Sequence, residues 1–204
     1  MSTMEKPDKT GTFKLKPMAA EELMTKELPI PRWAIPNLIP DGLTFFCGPP
    51  KVGKSWAALD WAIAVVTGGL AFARLQVEQG EALYLGLEDS NSRMQKRLRK
   101  LLPDGKSPKG LYILTRTNGF PPLDKGGLKA LDDWLTDHPK VKLVILDTWA
   151  RAKSPHKGNQ NIYEADVAAL APLQDLAFRH NLALVAIHHI RKQKADDVLY
   201  QVAF

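Results

Sequence analysis

Gly48-Pro49-Pro50-Lys51-Val52-Gly53-Lys54-Ser55 is the stretch of the sequence that decides the fold. It fits the pattern G-x-x-x-x-G-K-S, which is typical of the phosphate-binding loop of nucleotide hydrolases. The short apolar segment 43–47 precedes it and predicts a buried strand. The alanine-rich segment 55–66 follows it, is closed by two glycines, and predicts a helix. The loop therefore joins a strand to a helix, which is the context that this motif requires.

The composition of this loop matches the chemistry of a triphosphate. Glycines let the backbone approach the phosphates closely, and the N–H groups at the start of the helix form a nest for an anion. We expect Lys54 to reach the β- and γ-phosphates and the Ser55 hydroxyl to ligate Mg²⁺. The predicted ligands are therefore ATP and Mg²⁺. The candidate phosphate-binding residues are Gly48, Pro49, Pro50, Lys51, Val52, Gly53, Lys54, Ser55 and Trp56.

Length, composition and charge set the limits for the rest of the interpretation. The 204 residues suit one α/β domain, and 45% hydrophobic with 25% charged residues are ordinary values for a soluble protein. A net charge of +6 permits an acidic partner such as nucleic acid, but it fits a merely basic protein equally well. We expect a cytoplasmic protein without a disulfide or a membrane span, because the sequence has a single cysteine, no long apolar run and a polar N-terminus.

Strands alternate with helices along the remaining chain. Further strands are predicted at 82–87, 111–115, 142–147 and 182–187, and helices at 92–102, 125–137 and 162–180. This alternation predicts an α/β fold with a mostly parallel, twisted sheet and helices on both of its faces.

The segment before the first predicted strand has a different character. Residues 1–28 are predicted to form a polar tail and a short helix over 19–28, and residues 29–204 to form the ATPase core. Closely spaced prolines make 29–36 an extended arm. Trp33 in this arm is interpreted as a core residue, with an anchoring role near the nucleotide as the less favoured alternative.

Two carboxylate positions follow predicted strands. Asp147 comes after four consecutive apolar residues, and its strand ends at the sheet edge where open α/β sheets bind ligands. Asp147 is therefore predicted to hold Mg²⁺, directly or through water. Glu88 follows the strand 82–87 and is predicted to orient or deprotonate the attacking water, with Asp89 as its competitor. The alternative is that both residues simply begin a helix and favour its dipole.

His188 and His189 end the last predicted strand, beside the expected phosphate site. One of them is predicted to hydrogen-bond the γ-phosphate and to relay its presence to the following loop. The alternatives are an incidental pair and a zinc site. The zinc site is disfavoured because Cys47 lies within a strand and the other histidines are scattered.

Basic residues suggest where a nucleic acid would bind. Arg151, Lys153 and Lys157 lie in a predicted polar loop, 149–161, which leaves the same sheet edge as Asp147. This loop is interpreted either as a contact with DNA phosphates or as a disordered connector. The helix 92–102 also has a basic face, which is more typical of a solvated surface than of a nucleic-acid contact.

Together these motifs resemble the RepA-like branch of the RecA-fold ATPases, which includes hexameric replicative helicases of plasmids and many phage and prophage ATPases. The resemblance covers about residues 30–204. The motifs that carry it are Gly48 to Ser55, Leu85-Gly86-Leu87-Glu88-Asp89-Ser90, Leu146-Asp147-Thr148 and Ile187-His188-His189-Ile190-Arg191-Lys192.

The resemblance implies roles for individual residues. Lys54 and Ser55 bind phosphate and Mg²⁺, Glu88 is the catalytic carboxylate, and Asp147 supports the metal. His189 matches the γ-phosphate sensor better than His188 does, so Glu88, Lys54 and His189 form the predicted catalytic set. The resemblance also implies a homo-oligomeric ring with ATP at its subunit interfaces, an arginine supplied by the neighbour, and single-stranded DNA in the central channel.

The chain departs from the family's pattern after the histidine strand. Family members continue into further strands that carry the interface arginine, whereas residues 198–204 look like only the lead into that section. We therefore expect a truncated domain with poor turnover and uncertain ring assembly. The predicted function is that of an ATP-hydrolysing helicase domain in plasmid or phage DNA replication. The alternative is a regulatory or assembly ATPase without unwinding activity; a small-molecule kinase is disfavoured because no acceptor site or lid is evident.

Overall fold

The computed structural model describes residues 16–28, 31–154 and 162–190, without the side chains of 162–169. The chain divides into two units, Met1–Ile30 and Pro31–Phe204. The first unit contains helix α1 (Ala20–Thr25), which buries none of its residues. This helix is shorter than the predicted 19–28.

The second unit begins with a small antiparallel hairpin, β1 (Trp33–Ile35) and β2 (Ile39–Pro40). Strands and helices then alternate, as the sequence predicts. In chain order the elements are β3 (Gly42–Gly48), α2 (Lys54–Thr67), β4 (Leu70–Ala71), β5 (Leu75–Gln76), β6 (Glu81–Gly86), α3 (Asn91–Leu101), β7 (Leu111–Thr115), a 3₁₀ turn (Leu123–Lys125), α4 (Gly127–Asp137), β8 (Val141–Asp147), α5 (Trp149–Ala152), α6 (Ile162–Arg179) and β9 (Ala183–His189).

Five of the described strands form the central sheet in the order β3-β9-β8-β6-β7, and every neighbouring pair is parallel. The last strand within the described ranges, β9, therefore lies between β3 and β8. The register pairs Gly48 with His189 and Ile187 with Asp147. Gly86 of β6 also pairs with Asp147. The ends of the four strands that carry the predicted motifs, β3, β6, β8 and β9, consequently meet at one edge of the sheet. The predicted parallel α/β fold is confirmed.

The core consists of two layers, one on each face of the sheet. Leu143 and Ile145 of β8 pack in the layer that contains α2, whereas Val144 and Leu146 pack in the layer that contains α4 and part of α6. Successive side chains of a strand point to opposite faces, so these four fully buried residues supply both layers. This explains why the central strands are continuous apolar runs, and it confirms the helices on both faces.

The prediction of a polar loop from residue 149 was wrong for its first residues. Trp149–Ala152 forms the short helix α5, and Trp149 is only 2% exposed. Its ring packs edge to face against Phe45 at a centroid distance of 5.7 Å. Trp149 and Ala152 are the buried residues of α5, so burial of this aromatic ring fixes the start of the segment.

The prediction that Trp33 is a core residue was also wrong, since 39% of it is exposed. The two residues that follow it in β1, Ala34 and Ile35, are buried in its place.

The hairpin β4–β5 had no counterpart in the prediction. None of the helices within the described ranges is both long and apolar enough to span a membrane.

Candidate nucleotide-binding site

The backbone of the glycine-rich loop has the conformation that an anion-binding loop needs. Gly53 has φ +94° at the N-cap of α2, a left-handed conformation that favours glycine. A Cβ atom placed on Gly53 would meet nothing within 4 Å, so glycine is required here for its backbone angle and not for lack of space. No side chain caps α2. Its first N–H groups and the positive end of its dipole are thus suited to bind a phosphate.

Lys54 lies folded against this loop. Its side chain is 5% exposed, and its Nζ donates hydrogen bonds to the carbonyl oxygens of Gly48 and Pro49, each at 2.7 Å. Burial lowers the pKa of Lys54, and the carboxylate of Asp147 acts in the opposite direction. The ammonium group is therefore held inside the loop, where the phosphates of a nucleotide would lie.

Asp147 occupies the end of β8 and is 4% exposed. The hydroxyl of Tyr84 donates to Asp147 Oδ2 at 2.6 Å and lies 3.3 Å from the backbone carbonyl oxygen of Ser55. Burial raises the pKa of Tyr84 well above its ordinary value, and the neighbouring Asp147 carboxylate adds to this rise. Tyr84 thus links the carboxylate of β8 to the first turn of α2.

The residues around this link fit a magnesium ion. A buried carboxylate oxygen and a serine hydroxyl at the end of a phosphate-binding loop are the hard oxygen ligands that Mg²⁺ prefers. Asp147 and Ser55 would hold the ion, which would supply positive charge against the phosphates.

Glu88 and Asp89 are adjacent but lie in different environments. The Glu88 side chain is 44% exposed and its Oε1 accepts a hydrogen bond from Thr148 Oγ1 at 3.0 Å. Asp89 is 4% exposed and forms ion pairs with Arg97 and Arg93 of α3. Burial raises the pKa of Asp89, and the two arginines oppose this rise. Only Glu88 presents a carboxylate to solvent, so the geometry favours Glu88 over Asp89 as the group that contacts water.

The two histidines differ in their relation to the loop. His189 pairs in register with Gly48, the first residue of the loop, and the N–H of Ile190 donates to the Gly48 carbonyl at 3.3 Å. Nδ1 of His189 is buried and has no hydrogen-bond partner among the described residues. Such an atom is costly unless a ligand or water satisfies it. His188 lies one position further back, with its ring 6.5 Å from that of Phe45.

Three residues that were predicted to contact phosphate or DNA have neighbours that the sequence did not indicate. The indole of Trp56, 37% exposed, lies against the basic side of α3, with Arg97 5.7 Å and Lys100 5.9 Å from its ring centroid. Lys153 lies 5.8 Å from the ring centroid of Trp149. Arg151 lies with its Nε 3.7 Å from Glu88 Oε1. Lys157, the last predicted DNA contact, lies outside the described residues.

A family model described as an AAA domain matches residues 9–195. The chain belongs to this AAA domain family. The family membership, the parallel sheet and the glycine-rich loop together show the α/β fold of a RecA-like P-loop nucleotide hydrolase. The chain is accordingly a nucleotide-binding protein of ATPase type. No curated protein matches the sequence.

Sequence reasoning missed Tyr84, Thr148 and the position of Arg151. Tyr84 had a signal, because a tyrosine in an otherwise aliphatic buried strand needs a partner for its hydroxyl. Thr148 directly follows Asp147, but a hydroxyl at that position has many other uses. The contact between Arg151 and Glu88 joins residues 63 positions apart and had no signal in the sequence.

Proposed function

We propose that this chain is the ATP-binding and ATP-hydrolysing domain of a RepA-like DNA helicase that acts in plasmid or phage DNA replication. The proposal rests first on membership of the AAA domain family. The observation that carries it is the convergence of three strand ends at one sheet edge, where β3 leads into the glycine-rich loop, β8 ends in Asp147 and β9 ends in His189.

We propose a task for each side chain of the site. The loop N–H groups and Lys54 bind the β- and γ-phosphates, and Ser55 and Asp147 hold Mg²⁺, which neutralises phosphate charge when bound. Glu88 accepts a proton from a water molecule whose oxygen attacks the γ-phosphorus, while the bond to the bridging oxygen breaks and ADP leaves. His189 donates to the γ-phosphate through the ring nitrogen that has no other partner in the described part of the chain.

The helicase part of the proposal depends on a nucleic-acid partner and on self-assembly. The net charge of +6 and the exposed Arg151 at the site favour a polyanion as partner. We infer single-stranded DNA and further copies of the chain as the partners.

A regulatory or assembly ATPase is the second candidate. The observation that favours it is the hydrogen bond between the N–H of Ile190 and the Gly48 carbonyl, which joins the end of β9 to the loop. A phosphate at the loop would be sensed directly by the backbone that leaves β9, and a change in that backbone would serve as the output without unwinding of DNA.

ATP turnover with and without single-stranded DNA distinguishes these candidates. Phosphate release in Mg²⁺ would be measured for the wild type, for Lys54→Ala and for the control Lys129→Ala, which removes an exposed helical lysine far from the loop in sequence. We expect turnover that oligodeoxythymidylate stimulates and that Lys54→Ala lowers by about 100-fold or more. Turnover without DNA stimulation supports the regulatory candidate. Equal turnover in Lys54→Ala would exclude the site.

A further inference from the structure

Helix α3 concentrates positive charge on one of its sides. Five of its 11 residues are basic and none is acidic. Met94, Leu98 and Leu101 pack against the core layer that contains α2, so the basic residues lie away from the core. Four of them recur at the spacing i, i+3, i+4, i+7, which places residues on one face of a helix. This basic stripe consists of Arg93, Lys96, Arg97 and Lys100.

The charges of the basic stripe repel one another. Arg93 and Arg97 are four residues apart, as are Lys96 and Lys100, and like charges at this spacing destabilise a helix. Asp89 relieves the first pair, because its buried carboxylate forms ion pairs with both arginines. Lys96 and Lys100 are exposed, and neither of them forms an ion pair within the described ranges. These two lysines are therefore suited to bind an anion from outside the chain.

An exposed aromatic side chain lies beside the basic stripe. Trp56 is in the first turn of α2 and is 37% exposed. Its ring centroid lies 5.7 Å from the guanidinium carbon of Arg97 and 5.9 Å from Lys100 Nζ, within the range of a cation–π contact. The ion pair with Asp89 holds Arg97 in this position. Both cations approach the indole from α3, and the exposed part of the ring is open to stacking by another planar group.

An unpaired nucleic-acid strand matches this combination of charge and aromatic surface. Such strands bind proteins through phosphates on basic side chains and through bases that stack on aromatic rings. From Arg93 to Lys100 the helix rises by about 10 Å, which exceeds the distance between successive phosphates of one strand. An acidic protein segment would satisfy the charges but would offer the indole no base, and a duplex keeps its bases stacked inside. The chemistry therefore favours a single strand.

We propose that α3 and Trp56 form a binding surface for single-stranded DNA, in which the basic stripe pairs with backbone phosphates and one base stacks on the indole of Trp56. This inference rests on the proposed function, which requires such a strand. It adds a contact surface outside the loop 149–161 and revises the interpretation of the basic helix as a merely solvated one. Because Trp56 directly follows Ser55, this surface borders the nucleotide site.

The role of the charges is tested by fluorescence anisotropy with labelled oligodeoxythymidylate, without nucleotide and over a series of salt concentrations. The double variant Lys96→Gln/Lys100→Gln is expected to bind about tenfold or more weakly at low salt. Its slope of log affinity against log salt should be shallower by about 1.4, which is about 0.7 for each lost phosphate contact. Both lysines are exposed, so the variant should fold as the wild type does.

The double variant Lys125→Gln/Lys129→Gln is the matched control for net charge. It removes the same charge from exposed positions in and just before α4 and should keep nearly the affinity and the salt dependence of the wild type. Wild-type affinity and slope in Lys96→Gln/Lys100→Gln would overturn the proposal. An equal loss in the control would also overturn it, because the effect would then belong to the charge of the whole chain.

The role of the indole is tested with an abasic strand of the same length, which keeps the phosphates and lacks the bases. The wild type should bind oligodeoxythymidylate about tenfold more tightly than the abasic strand, and Trp56→Leu should bind the two strands about equally. Trp56→Phe keeps an aromatic ring and should retain most of the preference. Equal affinities in the wild type would overturn the proposal and indicate a surface for any polyanion. A Trp56→Leu variant that keeps the preference but binds ATP more weakly would also overturn it and assign the indole to the base of the nucleotide.

The same measurements separate this inference from the proposed function. A wild type that hydrolyses ATP and binds oligodeoxythymidylate, with an affinity that the substitutions in α3 and at Trp56 leave unchanged, refutes the inference and leaves the proposed function intact. A wild type that binds no single-stranded DNA under any of these salt conditions refutes both the inference and the helicase function.

Discussion

Glu88 and Asp89 share a backbone segment, and their side chains have opposite surroundings. Replacing Glu88 by Gln removes the exposed carboxylate and is expected to lower ATP turnover by about 100-fold or more, with nucleotide affinity and stability nearly unchanged. Replacing Asp89 by Asn removes a buried partner of Arg97 and should lower the free energy of unfolding by about 2 kcal/mol. Phosphate-release assays and urea unfolding of both variants separate the two effects.

The neighbouring position is the control in each of these measurements. A Glu88→Gln variant that unfolds as easily as Asp89→Asn would show that Glu88 is structural. An Asp89→Asn variant that keeps wild-type stability but loses turnover would move the catalytic role to Asp89. The exposed fractions of the two side chains, 44% and 5%, are what place the prediction on Glu88.

At the scale of residues, the sequence predicts best those groups whose role is set by local pattern. Lys54 and Asp147 belong to such patterns, and the structure places Lys54 at the start of α2 and Asp147 at the end of β8, as expected. Glu88 needed a choice between two neighbours, which only burial and the arginines of α3 decide. Thr148 and Tyr84 act through contacts across the sheet, and a single sequence does not contain the register that creates those contacts.

At the scale of elements, a charged bridge joins α4 to the end of α6. Asp132 Oδ1 lies 2.7 Å from His180 Nε2, and Asp132 Oδ2 accepts from Arg179 at 2.9 Å. These two hydrogen bonds, that from His180 first, hold the pKa of Asp132 below its ordinary value of 3.8. A carboxyl group with a lowered pKa in the folded state contributes stability above the unfolded-state pKa, and this contribution is lost as the pH falls through the folded-state pKa.

Asp132→Asn is therefore expected to lower the free energy of unfolding by about 1 kcal/mol near neutral pH. The difference from the wild type should shrink once the pH falls below about 4 and should vanish at still lower pH. Urea unfolding at a series of pH values measures this. Asp133→Asn is the matched control, since Asp133 pairs with the exposed Lys129 of its own helix, and this substitution should cost about 0.3 kcal/mol. A pH-independent effect of Asp132→Asn would contradict the linkage.

The start of α4 provides a second prediction at this scale. Alanine normally stabilises a helix by about 1 kcal/mol over glycine. At Gly127, however, a Cβ atom would lie 2.2 Å from the Pro121 carbonyl oxygen and 2.9 Å from that of Pro122. Gly127→Ala is therefore expected to destabilise the protein by about 2 kcal/mol in urea unfolding. Ala130→Gly, at an exposed position of the same helix, gives the ordinary helix preference for comparison, and a more stable Gly127→Ala would refute the steric argument.

The elements themselves were predicted well for the strands of the central sheet. β7 occupies the predicted 111–115, and β8 begins one residue before its predicted start. The errors fall on segments where one aromatic residue decides the structure. Trp149 is buried and begins α5 where the sequence predicted a polar loop, whereas Trp33 is exposed because its two successors fill the core instead. Hydrophobic character alone does not say which face of a short strand meets the interior.

At the scale of the whole molecule, the site joins β3, β8, β9 and the segment after β6 into one surface. A nucleotide that contacts all of them binds only the folded state. Bound ligand then stabilises this state by about 2.7 kcal/mol when its concentration is 100 times its dissociation constant. For a chain of this length we therefore expect saturating Mg²⁺-ATP to raise the midpoint of thermal unfolding by about 5–10 °C.

Thermal unfolding with increasing Mg²⁺-ATP measures this coupling independently of turnover. Lys54→Ala should abolish most of the rise in the midpoint, because it removes the buried ammonium that the loop carbonyls hold in place. Asp132→Asn weakens the fold away from the site and should start from a lower midpoint yet show the same rise. A rise that Lys54→Ala leaves intact would show that the nucleotide binds elsewhere. A rise that Asp132→Asn abolishes would show that the loop forms only when the α4–α6 bridge is intact. We do not expect this result, because α4 and α6 pack on the opposite face of the sheet from α2, which follows the loop.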